Sequence, residues 1–191
     1  MISLNNLVIK SSNSIKPLAL FIPEDSPFPT VQIGNQIWMS KNLEIDDGSA
    51  GITVVNNVNA NNVDFGTQYY YTWDAANRVA NSIPGWHLPT KEEWQTLLNI
   101  DATTRAFRST EGWNSGGNGT NISGMNIYPT GWVEPWGTTG LWGTQSRMWS
   151  SSIDDPYSNP WQFYFNYQSP LFSWENDKDS FYRMSVRLIK D

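Results

Sequence analysis

The chain has no cysteine and a single histidine, His87, in 191 residues. No disulfide, thiol nucleophile or thiolate metal centre is available to it, and a zinc site or an acyl-transfer mechanism would have to be built on one imidazole. Basic residues are also scarce. The 12 Lys and Arg stand against 18 Asp and Glu, a formal net charge of -6. A surface that tracks phosphates needs concentrated Lys and Arg, so the composition argues against nucleic acid as a partner, and an anionic membrane surface is served no better. Long apolar runs are missing too. The longest, Leu18 to Ile22, is far short of a bilayer span and argues against membrane insertion. Met1 to Ser12 lacks the basic start and apolar stretch of a secretory signal.

What the chain has in excess is tryptophan, 11 residues beside 8 Tyr and 8 Phe. Aromatic side chains supply large buried areas and stacking surfaces, and Trp and Tyr keep one polar handle each, which suits a rigid recognition domain better than a catalytic one. Residues 1–30 read apart from the rest. Leu4, Leu7 and Ile9, then Leu18, Leu20 and Ile22, give two short strand-like stretches, and Pro23, Pro27 and Pro29 follow as an extended linker. This is an attachment or assembly segment, through which the chain would form a homo-oligomer or join a particle, or else an extra strand of the main domain. Residues 31–191 form that domain.

Within it, Val31, Ile33, Ile37 and Met39 flank the turn dipeptide Gly34-Asn35, which predicts a hairpin over Thr30 to Leu43. Asp46 to Asn62 is polar and Asn-rich, and reads as a loop. Thr72 to Asn81 has Trp73, Ala76 and Ala80 at helical spacing. Thr90 and Glu93 form a capping box that opens a second helix, from Lys91 to about Asn99, with Trp94, Leu97 and Leu98 inward. Gly112 to Gly143 has no period but is too aromatic to be disordered, and reads as long, well-packed loops. Strands return at Arg147 to Ser152, Trp161 to Tyr167 and Phe181 to Lys190, and Trp86, Trp94 and Trp149 belong to the core.

The phrases Ile33-Gly34-Asn35-Gln36-Ile37-Trp38-Met39-Ser40-Lys41-Asn42-Leu43, Tyr71-Thr72-Trp73-Asp74-Ala75-Ala76, Gly85-Trp86-His87-Leu88-Pro89-Thr90-Lys91-Glu92-Glu93-Trp94, Gly124 to Gly131, Trp149-Ser150-Ser151-Ser152 and Ser185-Val186-Arg187-Leu188-Ile189-Lys190-Asp191 occur in a fixed order. They resemble the Fibrobacter succinogenes major paralogous domain family over Val31 to Asp191. The resemblance implies an α+β, C-type-lectin-like domain with two helices, a small twisted, mainly antiparallel sheet, long Trp- and Gly-rich loops, and terminal strands in one sheet. Relatives commonly carry cysteines where this chain has Ile83 and Leu188, which implies that these two side chains meet here.

His87 reads as a structural residue of a packed turn ahead of the helix. Asp46-Asp47 and Asp154-Asp155 are adjacent pairs, whereas a glycosidase places its two carboxyls on opposite sides of a bond, about 5 to 10 Å apart, so they read as solvated loop acids. Trp174-Glu175-Asn176-Asp177 and Glu134-Pro135 resemble phrases of calcium-dependent lectins, and Glu175, Asn176, Asp177 and Asp179 offer oxygen ligands. Their spacing departs from that pattern, so neither a metal nor another cofactor is assigned. The sequons at Asn118 and Asn121 are taken as accidental.

The remaining signal is a paratope-like mixture of Tyr, Trp, Asn and Ser. In Trp161 to Tyr167, alternation sends Trp161, Phe163, Phe165 and Tyr167 to one face and Gln162, Tyr164 and Asn166 to the other. The candidate ligand-binding residues are Trp136, Trp142, Tyr157, Asn159, Tyr164, Asn166, Trp174, Asn176 and Asp177. The expected function is a non-catalytic receptor- or adhesin-type module for a cell-surface protein or glycan, located on a virion or cell surface. By the resemblance it would be a phage tail protein or a variable protein of a diversity-generating retroelement, whose altered codons yield residue types abundant in Tyr157 to Phe181. The alternatives are a carbohydrate-active enzyme using loop carboxylates and a structural domain of a surface assembly.

Overall fold

The fold is that of a computed structural model, which describes residues 26–100, 103–154, 159–176 and 179–191. The strand-like stretches of the first 25 residues lie outside the described residues. β1 (Thr30–Ile33) and β2 (Gln36–Met39) make the hairpin expected around Gly34, whose φ of +62° is a left-handed turn geometry. The linker ends earlier than the composition suggests. Thr30 is fully buried, and the Phe28 ring meets Trp86 edge-on at 5.6 Å.

The Asn-rich stretch is not all loop. It contains β3 (Ile52–Val55) and β4 (Asn59–Ala60), which pair antiparallel with β6 (Gln68–Tyr71) and β5 (Val63–Asp64) respectively. Its asparagines still make the turns, with Asn57, Asn61 and Asn62 at φ 56, 51 and 63°. α1 (Trp73–Asn81) is capped by Thr72, whose hydroxyl accepts from the Ala75 amide at 3.3 Å. Ala75, Ala76, Val79 and Ala80 are its buried face, while Trp73, expected there, is half-buried and donates its indole N–H to Ser150 O at 2.8 Å.

β7 (Trp86–His87) precedes α2 (Lys91–Ile100). The capping box is present as expected: Glu93 Oε2 accepts from the Thr90 amide at 2.8 Å, and Thr90 Oγ1 accepts from the Glu93 amide at 3.1 Å. Trp94 and Leu97 are fully buried, and the Leu98 side chain lies outside the described residues. The Gly-rich stretch buries Trp113, Met125 and Ile127 and closes one small hairpin, β8 (Trp132–Val133) with β9 (Thr139–Gly140). Gly131 makes that closure feasible, because a Cβ there would sit 2.0 Å from Gly140 O.

β10 (Gln145–Asp154), β11 (Asn159–Asn166) and β12 (Ser169–Glu175) form a three-stranded antiparallel meander, and β13 (Ile189–Lys190) ends the fold. β12 was expected to be loop. Conversely, the strand expected over Phe181 to Lys190 is regular only at β13. Its first half is extended chain pinned by isolated bridges from Arg183 to Val133, Met184 to Tyr71 and Ser185 to Met148.

The architecture is mixed α+β and mostly β. Among the described residues the two helices accompany several small antiparallel sheets, where one sheet was expected: a four-stranded sheet in the order β1-β2-β13-β7, the meander, and three two-stranded ribbons. First and last strands share a sheet as expected, although β13 pairs with β2, Ile189 opposite Trp38, and not with β1. Strand alternation then divides the interior in two. Trp38 of β2 and Met148 of β10 enter a cluster with Trp94, Phe107 and Phe163, while their neighbours Met39 and Trp149 enter another with Trp86, Leu188 and the α1 alanines. Ile83 packs on the second cluster, the one that contains Leu188. In the first, Trp94 lies between Trp38 and Phe163, with ring centroids 4.6 and 4.5 Å away.

Candidate functional site

The meander carries most of the expected binding residues, and its register separates them. Phe163 pairs with Trp174, and Tyr164 with Ser173. Trp174 therefore shares the core-side face with Phe163, its ring edge-on at 6.0 Å, and cannot join Tyr164 on the outer face as expected. The half-buried Trp174 ring lies 6.4 Å from Trp161, and the Lys91 ammonium sits 3.4 Å over Trp161 and 4.9 Å from Trp174. A cation on two aromatic faces fixes the start of α2 against the meander.

On the outer face the organising residue is Arg147 of β10, which the sequence reading passed over. Its guanidinium lies 4.5 Å from the centroids of both Trp132 and Tyr164, donates to Gln162 Oε1 at 2.7 Å and pairs with Glu175 at 2.9 Å. Gln162, expected to face outward in the open, is fully buried beneath this arrangement. Tyr164 and Asn166 are half-buried, and the Asn166 amide donates to the Tyr164 hydroxyl. Asn159 ties β11 to the end of β12 by donating to Asn176 O at 3.1 Å. Tyr157 and Asp177 lie outside the described residues.

Two further devices stiffen this face. At the β11–β12 turn Asn166 Oδ1 accepts from the Gln168 amide at 3.0 Å, so the turn forms without glycine. Beneath it, buried Arg108 donates to Asn166 O at 2.7 Å, to Ser169 O and to Gly117 O at 3.0 Å. Burial, and secondarily Arg105, pushes its guanidinium down to about 10, so it remains charged at neutral pH.

The β8–β9 hairpin extends the aromatic surface. Trp132 covers Arg147 at its base, and Trp136 projects from its tip with 70% of its surface exposed. The Val133–Arg183 bridge brings Tyr182 to 6.5 Å from Trp136 and leaves Phe181 67% exposed beside it. Trp142 is half-buried and its indole nitrogen is buried, which turns its polar end inward. Phe181, Tyr182, Trp132 and Arg147 were not among the expected site residues. Aromatic character alone could have suggested the first three, whereas nothing local marks Arg147.

The other candidates resolve differently. His87 is not buried in a packed turn: it lies on β7, half-exposed, with Nδ1 2.6 Å from Asp191 and Nε2 2.9 Å from Glu93. Partial burial works against its charged form, but the hydrogen bonds to Asp191 and Glu93 prevail and raise its pKa. Asp47 is bound by Arg78 and accepts from the Ser49 amide, which holds its carboxyl at about 2 and leaves it no proton to donate at neutral pH. The Asp154 side chain and Asp155 lie outside the described residues. Of the calcium candidates, Glu175 is engaged by Arg147 and Asp179 accepts from the Phe181 amide. No cluster of three or more His, Asp or Glu side chains that could hold a metal occurs among the described residues. No helix of the described residues is long and apolar enough to cross a membrane.

With this geometry in place, comparison with known proteins adds one finding. The model of the Fibrobacter succinogenes major domain matches residues 31–190, and the chain belongs to that family. No curated protein and no solved structure matches it.

Proposed function

We propose, from membership of the Fibrobacter succinogenes major domain family, that the chain is a non-catalytic ligand-binding module of the receptor or adhesin type with a C-type-lectin-like fold. The observation that carries this reading is the strip of exposed and half-exposed aromatics on a stiff support, Tyr164 and Trp132 around Arg147 continuing to Trp136, Tyr182 and Phe181. Anchors of this kind deliver most of the affinity in protein interfaces because their rings bury large areas at little conformational cost. The sharing of one sheet by the first and last strands, beside two helices, supports the lectin-like reading. The partner is a protein or glycan of a cell surface, and the module works on a virion or cell exterior, assembled through the residues that precede Ser26. Diversification by a retroelement fits the residue types of 157–181, and a reverse transcriptase gene with a template repeat beside the coding sequence is the expected genomic context.

Array screening against cell-surface proteins and glycans tests the reading. A specific hit should weaken at least tenfold on Trp136→Ala or Phe181→Ala with an unchanged melting temperature, both side chains being largely exposed; hits indifferent to both substitutions would remove the face from consideration. The module uses neither metal nor cofactor in this reading. Chelation should leave the melting temperature unchanged, since a native-state ligand would have stabilised the fold by mass action. A shift of several degrees on adding calcium would instead make Glu175 and Asn176 ligands.

A further inference from the structure

A second concave site lies away from the aromatic strip. The loop after β2, the β5–β6 connection and the Asn126–Tyr128 segment enclose a cleft of about 260 Å³. Small-molecule clefts commonly run from about 300 to 1,000 Å³, so this one suits a single compact group. Its floor is Arg187, fully buried and held by neutral acceptors: Nε donates to Asn42 Oδ1 at 2.7 Å, Nη1 to Met39 O and Met125 O at 2.9 and 2.7 Å, and Nη2 to Asn126 O at 3.3 Å. These bonds make Arg187 a structural wall of the cleft.

The groups around that wall are differently placed. The Ser40 hydroxyl, Lys41 ammonium, Glu44 carboxylate, Asn126 side-chain amide and Tyr128 hydroxyl line the cleft with no hydrogen bond to protein among the described residues. Asp64 spends one oxygen on the Gly66 amide at 2.8 Å. Donors and acceptors are mixed. An anion would face two carboxylates, Glu44 and Asp64; a cation would face Lys41 and the buried Arg187 charge. A neutral group whose every polar atom both donates and accepts meets neither penalty, and hydroxyls are that group. Phe65 and Tyr128, with ring centroids 5.0 Å apart and planes inclined by 39°, add an apolar wall against which the C–H face of a sugar ring can lie.

We propose that this cleft binds an uncharged sugar, the terminal ring of a neutral glycan. The site is independent of the aromatic strip, and either can fail without the other. The test is an array of neutral gluco-, galacto- and manno-configured oligosaccharides, with calorimetric titration of hits into the full chain, wild type and variants. Glu44→Gln replaces a charged double acceptor by an amide with one acceptor oxygen, and Tyr128→Phe removes a hydroxyl. Both should weaken binding at least tenfold, Tyr128→Phe with an unchanged thermal melt, while Trp136→Ala leaves sugar binding intact. The proposal is overturned if no neutral glycan binds saturably at millimolar concentration. It is equally overturned if Glu44→Gln and Tyr128→Phe bind as wild type, or if sialylated or sulfated glycans or free amino acids bind more tightly than the neutral probes.

Discussion

At the scale of single residues, tryptophan serves two purposes that exposure separates. Trp94 and Trp149 are fully buried, and Trp149 also donates its indole N–H to Tyr71 O at 2.7 Å. Truncating either to alanine should cost about 3–5 kcal/mol in urea unfolding, because the cavity collapses only in part. Trp136→Ala, at an exposed tip, should stay within about 0.5 kcal/mol of wild type. Equal losses at all three positions would erase the distinction between fold anchors and partner-facing rings. Buried Arg108 and Arg187 are a third class, invisible in the sequence because most of their partners are backbone carbonyls brought close only by folding. Arg108 holds Asn166 O and Ser169 O, 58 and 61 positions away along the chain. Arg108→Ala leaves those part-buried carbonyls without their partner, at up to about 1–3 kcal/mol each. The same variant should raise amide exchange at the β11–β12 turn; an unchanged turn would show that Asn166 alone sustains it.

At the scale of elements, what the sequence revealed was what neighbours a few positions apart decide. The capping box at Thr90 and Glu93 and the Gly34 turn each depend on a local contact, and both are in place. β12 was missed because its turn has neither the Gly nor the Asn-Gly pair that announces a hairpin, and relies on Asn166 and distant Arg108. Phe181 to Lys190 was over-read for the converse reason: its apolar Met184, Val186 and Leu188 are buried in one cluster without continuous strand pairing. His87 joins three elements, linking β7 to the first turn of α2 through Glu93 and to the end of β13 through Asp191. Its folded pKa lies above the ordinary 6.5. The stabilisation from the protonated ring is therefore complete below about pH 6.5 and is lost as pH rises through the folded value. The gap in melting temperature between wild type and His87→Asn should be widest near pH 5.5 and narrow toward alkaline pH, with about 6.5 as the unfolded reference. A gap that widens with pH would mean that the ring acts neutral.

At the scale of the whole molecule, the point at which the domain begins decides what the first 30 residues can do. A boundary at Val31 follows from sequence phrases, yet the structure uses residues before it. Phe28 packs edge-on against Trp86, Pro29 O accepts from the Ser40 amide at 2.9 Å, and Thr30 is buried at the start of β1. Burying a ring such as Phe28 is worth about 1.5–3 kcal/mol, less for its partly exposed state, and among the described residues β2 is the only sheet partner of β1. A chain starting at Gln32 should therefore melt several degrees below one starting at Ser26. If the preceding residues are an assembly segment, the chain starting at Ser26 should keep the full-length melting temperature while its mass by light scattering falls to that of a single copy. A full-length chain that is already a single copy at the same concentration would end the self-assembly reading. A chain starting at Ser26 that melts well below full length would show that the earlier residues belong to the domain, as the extra-strand alternative requires.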